Sequence, residues 1–303
     1  MDVSLALWAG TIGVLVALIA VDFFIGGRKP HEVSLKEAGA WTAVWVVLAI
    51  AFGGFLWWQF GGAKAGEFFA GYVTEKSLSV DNLFVFVLIM AKFAVPKVQQ
   101  QRVLMVGVLI ALVLRAVFIA GGAALVASFS WIFYLFGAFL VWTAWKLVKE
   151  ARSGHQESEF EENALLRAVR RRFPAISTMT VVMLAIGLTD LLFALDSIPA
   201  IFGLTQDPYI VFTANAFALM GLRQLYFLLG GLLQRLVHLS YGLSVILGFI
   251  GLKLVLHALH ESGVPVPEIS TPLSLGVIVV VLAVTTVSSL WASRRAAAAE
   301  LPG

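Results

Sequence analysis

The chain has 303 residues, of which 60% are hydrophobic and only 13% charged, and its mean hydropathy is +0.94. Soluble domains carry roughly 25% charged residues, so the composition excludes an ordinary soluble protein and defines an integral membrane one. The net charge of +3 sits in short loops between apolar stretches, where it acts as a topology signal and not as a nucleic-acid surface, and the absence of cysteine excludes disulfides, thiolate metal sites and thiol redox chemistry.

A helix needs about 20 apolar residues to cross the hydrocarbon core. Taken in chain order, nine stretches qualify: roughly 4–26, 38–60, 67–91, 103–126, 130–149, 174–202, 208–233, 238–259 and 272–292. Only Asp2 is charged before the first, so the basic start of a cleavable secretion signal is missing and Arg28 and Lys29 follow the span instead. Basic residues then recur in alternate loops: Lys36 after the first span, Lys92, Lys97 and Arg102 after the third, Lys146, Lys149, Arg152 and Arg170-Arg171-Arg172 around the fifth, Arg235 after the seventh, and Arg294 and Arg295 after the ninth. The intervening loops contain only Lys64. The positive-inside rule therefore predicts an all-α, polytopic protein of nine transmembrane helices with its N-terminus out and its C-terminus in. The longest loop, 150–173, bears Glu157, Glu159, Glu161 and Glu162 before its arginines and reads as a solvated cytoplasmic linker.

Two segments repeat each other. Asp81, Arg115, Tyr134 and Lys146 follow in order through spans three to five, and Asp196, Arg223, Tyr241 and Lys253 through spans six to eight. Tyr and Lys are twelve residues apart in both copies. An odd number of spans per copy puts the second in the membrane upside down, so residues 67–149 and 174–259 are expected to form two inverted three-helix repeats within one domain covering 1–303. Transporters built this way bind substrate near the midplane at the repeat interface.

The chemistry lies at the start of each repeat. Thr74-Glu75-Lys76-Ser77-Leu78-Ser79-Val80-Asp81-Asn82 and Thr189-Asp190-Leu191-Leu192-Phe193-Ala194-Leu195-Asp196-Ser197 share one pattern: Thr, an acid, five residues, Asp, a small polar residue. A charge at mid-bilayer costs about 2.5–3.5 kcal/mol on insertion scales, so four carboxylates demand cations, protons or basic partners. Six residues separate the acids in each motif, placing them about 120° apart and about 9 Å along a helix. This spacing favours a central pair of Asp81 with Asp196, completed by Asn82 and Ser197, and an outer pair of Glu75 with Asp190 that guides ions or carries protons. Pro199 is expected to break its helix and free carbonyl oxygens beside Asp196. Hard oxygen donors suit Mg²⁺, Ca²⁺ or Mn²⁺.

The competing reading is a structural ion-pair network in which Arg115, Arg223 and Lys76 neutralise the acids; both uses are compatible, with the arginines balancing charge in the unloaded site. Asp22 at the inner end of the first span, and Thr213 and Asn215 in the seventh, are weaker candidates for lining a pathway. His257 and His260 share a helical face and offer a metal entry or exit point, against the default of interfacial polar residues, and Met179 and Met183 read as packing. No nucleophile–base set, phosphate loop or paired haem histidines is apparent, so an enzyme is not expected.

Glu75-Lys76-Ser77-Leu78-Ser79-Val80-Asp81-Asn82, Asp196-Ser197-Ile198-Pro199-Ala200-Ile201-Phe202, and Asn215-Ala216-Phe217-Ala218 with Gly221-Leu222-Arg223 resemble the TerC family, named for tellurium resistance and similar to the LysE-type transporter superfamily. The resemblance spans nearly the whole chain. It implies a multi-pass protein of the bacterial inner membrane whose members are linked to Mn²⁺ export and metal homeostasis, to tellurite or pH stress, or, in plants, to thylakoid assembly. Carried over, Asp81, Asn82, Asp190 and Asp196 would hold the metal, and the transported divalent cation, with no permanent cofactor, would be Mn²⁺. Gly187 stands where some members carry a further acid, which removes one negative charge. The alternative function is a membrane scaffold or assembly factor in envelope stress, with a homo-oligomer or other membrane proteins as partners.

Overall fold

The computed structural model describes residues 3–26, 32–129, 131–153, 177–229 and 236–299. Most of the 150–173 loop and Arg28, Lys29 and Arg235 lie outside the described residues, as does the side chain of Arg294. The described residues form ten helices and no strand: α1 (Leu5–Gly26), α2 (Leu35–Phe60), α3 (Gly62–Lys92), α4 (Lys97–Ser128), α5 (Ile132–Ser153), α6 (Thr178–Phe202), α7 (Pro208–Met220), α8 (Leu222–Leu229), α9 (Leu239–Glu261) and α10 (Thr271–Ala299).

Local chemistry sets several boundaries. Ser34 caps α2 by accepting the Glu37 amide at 3.2 Å, the first half of a Ser-x-x-Glu capping box. Ser177 caps α6 through the Thr180 amide at 3.1 Å, and Asp207 caps α7 through the Tyr209 amide at 3.0 Å, with Pro208 at the first helical position where no donor is lost. Gly61 ends α2 at φ +88°, a conformation that favours glycine.

Seven of these helices are long and apolar enough to cross a membrane, and the pair α7–α8, bent by 41°, makes an eighth if counted as one span. The remaining expected span, the third, corresponds to α3, which is 31 residues long but carries Lys64, Glu67, Glu75, Lys76, Asp81 and Lys92. The expected break at Pro199 is not found. Helix α6 continues through Pro199 to Phe202, because the proline sits in the last turn, where its missing amide removes a single bond. The chain breaks in the seventh span instead, at Gly221.

Helices α4 and α6 pack together, as do α3 and α7, while α5 lies along α9 and α3 crosses α6. Exchanging α3, α4 and α5 for α6, α7–α8 and α9 turns this set of contacts into itself. The α5–α9 approach is closest at Gly137 and Gly251: a Cβ on Gly251 would lie 2.9 Å from the Gly137 carbonyl oxygen, and one on Gly137 2.8 Å from that of Gly251. Leu140 and Leu247 are fully buried beside this crossing. Helices α1, α2 and α10 flank the unit and turn apolar side chains such as Val16, Val47 and Val284 outward, as lipid contact requires.

Because backbone, not a mobile side chain, blocks position 251, Gly251→Ala should cost about 1–3 kcal/mol, read as a lower melting temperature in detergent. Gly39→Ala, within α2 and with open space at its Cβ position, should instead gain about 0.5–1 kcal/mol from helix propensity.

Candidate functional site

Seven residues span about 700° of helix, within about 20° of two full turns, so residue i+7 returns to the face of residue i. On α3 this aligns Glu75 with Asn82, and Ser79 joins them at i+4; on α6 it aligns Asp190 with Ser197. All five side chains are buried, Glu75, Ser79 and Asp190 completely. Between the two faces α4 inserts Arg115, itself fully buried.

The Arg115 guanidinium organises the centre. Its Nε donates to Asp190 Oδ2 at 2.7 Å, and its Nη1 donates to Glu75 Oε1, to Ser197 Oγ at 3.1 Å and to Asn215 Oδ1 at 3.0 Å. Asn215 is oriented by its own amide, which donates to the Val211 carbonyl at 2.8 Å, and Ser79 donates to Glu75 Oε1 at 3.2 Å. One arginine against two carboxylates leaves the trio one negative charge in excess if all are ionised. Glu75 Oε2, Asp190 Oδ1, Arg115 Nη2, Thr74 Oγ1, Thr189 Oγ1 and Asn82 Nδ2 make no hydrogen bond to protein. Such a centre is polarised and incompletely satisfied, which in a low-dielectric interior is costly.

The expected arrangement of the acids is therefore reversed. Glu75 and Asp190, expected as an outer pair, meet at Arg115, and Asp81 and Asp196, expected as the central pair, lie on neighbouring faces. Asp196 accepts from Thr143 of α5 at 3.0 Å, with Lys146 close enough to act on it electrostatically. Asp81 lies close enough to Glu150 of α5 to be acted on electrostatically. Ser197, expected beside Asp196, belongs to the Arg115 centre. The physical reason is the six-residue spacing itself, which turns each Asp about 120° away from its preceding acid while bringing the following residue back into line.

The other basic candidates have different partners. Lys76 Nζ donates to the Ala218 carbonyl at 2.8 Å, capping the end of α7 where its last carbonyls have no partner within the helix. A Cβ on Gly221 would lie 2.8 Å from this ammonium and 3.3 Å from Trp45 Cβ, so a side chain there would press the lysine away from the helix end. Arg223 does not reach the motif acids: it donates to Asp22 Oδ1 at 2.6 Å, with Gln224 3.4 Å from the same oxygen. Asp22 is thus the counterion of Arg223. Thr213 bonds back to the Tyr209 carbonyl at 2.8 Å, whereas Asn215 reaches the centre. Gly187 lies at the α4–α6 crossing, where a Cβ would be 2.6 Å from Ile110 Cγ2, so an acid there would displace α4. His257 meets Gln206 at 2.7 Å and His260 faces the Val266 carbonyl at 3.3 Å, so the two imidazoles have separate partners. Met179 and Met183 pack against an apolar cluster that includes Val103 and Ile186.

Among the described residues, no three His, Cys, Asp or Glu side chains are grouped to hold a metal ion. A cavity of about 460 Å³ opens between the start of α3, the α6–α7 connection and α9, lined by Glu67, Lys64, Gln206, Lys253 and His257 among others. The sequence reading missed Glu67, which pairs with Lys64 at 2.9 Å and accepts from Thr205; its i−8 relation to Glu75 on α3 was the available signal.

Fold and centre together define a polytopic helical membrane protein with a buried carboxylate–guanidinium core. The chain belongs to the integral membrane protein TerC family, whose profile matches residues 60–297. It is 45% identical over 323 residues to an uncharacterized membrane protein of Mycobacterium tuberculosis (strain H37Rv), covering 97% of this chain and 81% of that protein. An uncharacterized membrane protein of Myxococcus xanthus is 42% identical, with 97% and 94% covered. Alx of Escherichia coli (strain K12), whose name designates a proposed membrane-bound redox modulator, is 38% identical, with 95% of both chains covered. No solved structure matches.

Removing the arginine alone would leave two buried carboxylates without a cation, which typically costs about 3–5 kcal/mol. Arg115→Met should abolish the monodisperse folded protein in size-exclusion chromatography. The triple variant Arg115→Met, Glu75→Gln, Asp190→Asn, which removes the charges together, should restore it.

Proposed function

We propose that the protein carries a divalent cation, with Mn²⁺ the leading candidate, across the bacterial inner membrane by alternating access between two inverted three-helix units in a nine-span architecture. The observation that carries this reading is the Glu75–Arg115–Asp190 centre: two buried carboxylates, each contributed by the first helix of one unit, share one guanidinium and each keep an oxygen without a protein donor. A core built only to be stable gains little from buried charge compared with apolar packing. The interchange of α3–α5 with α6–α9 in the packing pattern supports the inverted repeat, and the break at Gly221 supplies the discontinuous helix common at transporter sites.

In the closed centre Arg115 occupies the place between the carboxylates. A cation would enter as the guanidinium withdraws, so that Glu75 Oε and Asp190 Oδ atoms, with Ser197 and the Asn215 carbonyl, become its oxygen donors. Hard oxygens of this kind favour Mn²⁺, Mg²⁺ or Ca²⁺ over softer ions. Asp196 and Asp81, about 9 Å along their helices from this centre, would receive the ion on either side, joined by the Thr143–Lys146–Glu150 face of α5. Asn82 would line the route from Asp81.

The second reading is a scaffold whose ion pairs serve only to fix the helices; it is favoured by the four hydrogen bonds that already engage Arg115. A redox role, after the name of the E. coli relative, would have to proceed without thiols, because the chain contains no cysteine.

Purified protein reconstituted in liposomes containing a Mn²⁺-sensitive dye tests the choice. Glu75→Gln and Asp190→Asn, which keep size and hydrogen-bonding capacity, should each reduce initial Mn²⁺ flux at least tenfold while the protein still elutes as a folded species. Flux equal to wild type in both variants would exclude the carboxylate site, and no flux in wild type under a pH gradient, with Mg²⁺ and Ca²⁺ also tried, would favour the scaffold.

A further inference from the structure

Helix α1 buries only Thr11 and Leu15 among its described side chains, yet it makes two specific polar contacts, both with the broken helix. Near its outer end Thr11 Oγ1 and the Tyr209 hydroxyl are 2.7 Å apart, and Trp8 packs edge-on against Tyr209 with ring centroids 5.0 Å apart. Near its inner end Asp22 receives Arg223 at 2.6 Å, with Gln224 close by. Tyr209 belongs to α7 and Arg223 to α8, so the two contacts fall on opposite sides of the Gly221 break. They are eleven residues apart on α1 and fourteen on the broken helix, about 17 Å and about 21 Å of helical rise. The long arginine side chain covers the difference.

The inner contact is out of proportion to a peripheral anchor. Arg223 is 6% exposed and Gln224 3% exposed, so α8 relies on α1 for the counterion of a buried charge. The repeat pattern sharpens the contrast: Arg115 finds its acids within the repeated helices, whereas Arg223, its sequence counterpart, finds one on a helix outside them. Among the described residues, Lys76 also holds the break, through the Ala218 carbonyl, while α2 packs along α8 and Gln100 and Met105 of α4 reach Tyr226 and Arg223. Helix α8 itself has eight residues, too few to be stable without tertiary support.

We infer that α1 is a splint across the broken helix, fixed to α7 at Thr11–Tyr209 and fastened to α8 by the Asp22–Arg223 clasp, and that this inner clasp is the joint that opens when α8 moves. The moving-joint part rests on the transport reading above. Opening the clasp frees α8 to change its angle to α7 while the outer contact keeps α1 in place.

Because the chain contains no cysteine, pairs can be introduced without background. Asp22→Cys with Arg223→Cys, and Thr11→Cys with Tyr209→Cys, would each be bridged by a short, reducible bifunctional thiosulfonate in Mn²⁺ proteoliposomes. Bridging the inner pair should cut initial Mn²⁺ flux at least tenfold relative to the same protein after reduction, and bridging the outer pair should leave it within threefold. Unchanged flux in the inner-bridged protein, or equal loss in both, would overturn the assignment of the moving joint. Hydrogen exchange separates failure of the splint from failure of transport, since it requires no flux. Asp22→Asn should speed amide exchange of residues 221–229 at least tenfold and leave α9 unchanged, and the exchanged pair Asp22→Arg, Arg223→Asp should restore protection. Unaltered exchange in Asp22→Asn would overturn the splint whether or not wild type transports Mn²⁺.

Discussion

The structure depends on a guanidinium that cannot be solvated. Arg115 lies at the middle of an apolar helix with no exposed surface, so every polar atom near it must come from protein. Two carboxylates, a hydroxyl and an amide meet that demand, and they come from α3, α6 and α7. One side chain thereby fixes the rotation of four helices about their axes. The tight α4–α6 crossing at Gly107 and Gly187 brings the arginine within reach, and the Asn215 side chain sets the register of α7 against it.

The same demand operates at the edge of the molecule on a smaller scale. Arg223 and Lys76 each place a charge where water is scarce, and each finds one strong acceptor, a carboxylate for the first, which also reaches the Met105 sulfur, and a helix-end carbonyl for the second. The difference has a consequence for stiffness. Arg115 is held by several bonds from three helices, so displacing it requires concerted movement. Lys76 and Arg223 are each held mainly at one point, and the break at Gly221 lies between those points.

Helical content and membrane insertion were legible because they rest on composition and on apolar run length, which need no tertiary information. The pairing of acids was not, because a count of six residues gives the angle between Glu75 and Asp81 but not which of them faces the neighbouring helix. The seven-residue interval, read as a helical face, would have placed Asn82 with Glu75 and Ser197 with Asp190. Pro199 drew attention as the strongest helix breaker in its segment, but at a helix end it breaks little. At Gly221, where the span bends, a lysine from another helix lies in the space a side chain would need, and no local pattern reveals that. Asp22 and Arg223 are 201 positions apart, beyond any periodicity argument.

Among the described residues, both buried arginines follow an acidic partner in the chain: Glu75 precedes Arg115, and Asp22 precedes Arg223. Helices enter a membrane in the order in which the ribosome delivers them. Each arginine therefore arrives in a bilayer that already contains a carboxylate for it, which offsets an insertion cost of about 2.5–3.5 kcal/mol. Asp190, the acid that comes last, finds Arg115 waiting. The linear order of the charges thus spares Arg115 and Arg223 an unaccompanied stage in the assembly of the protein.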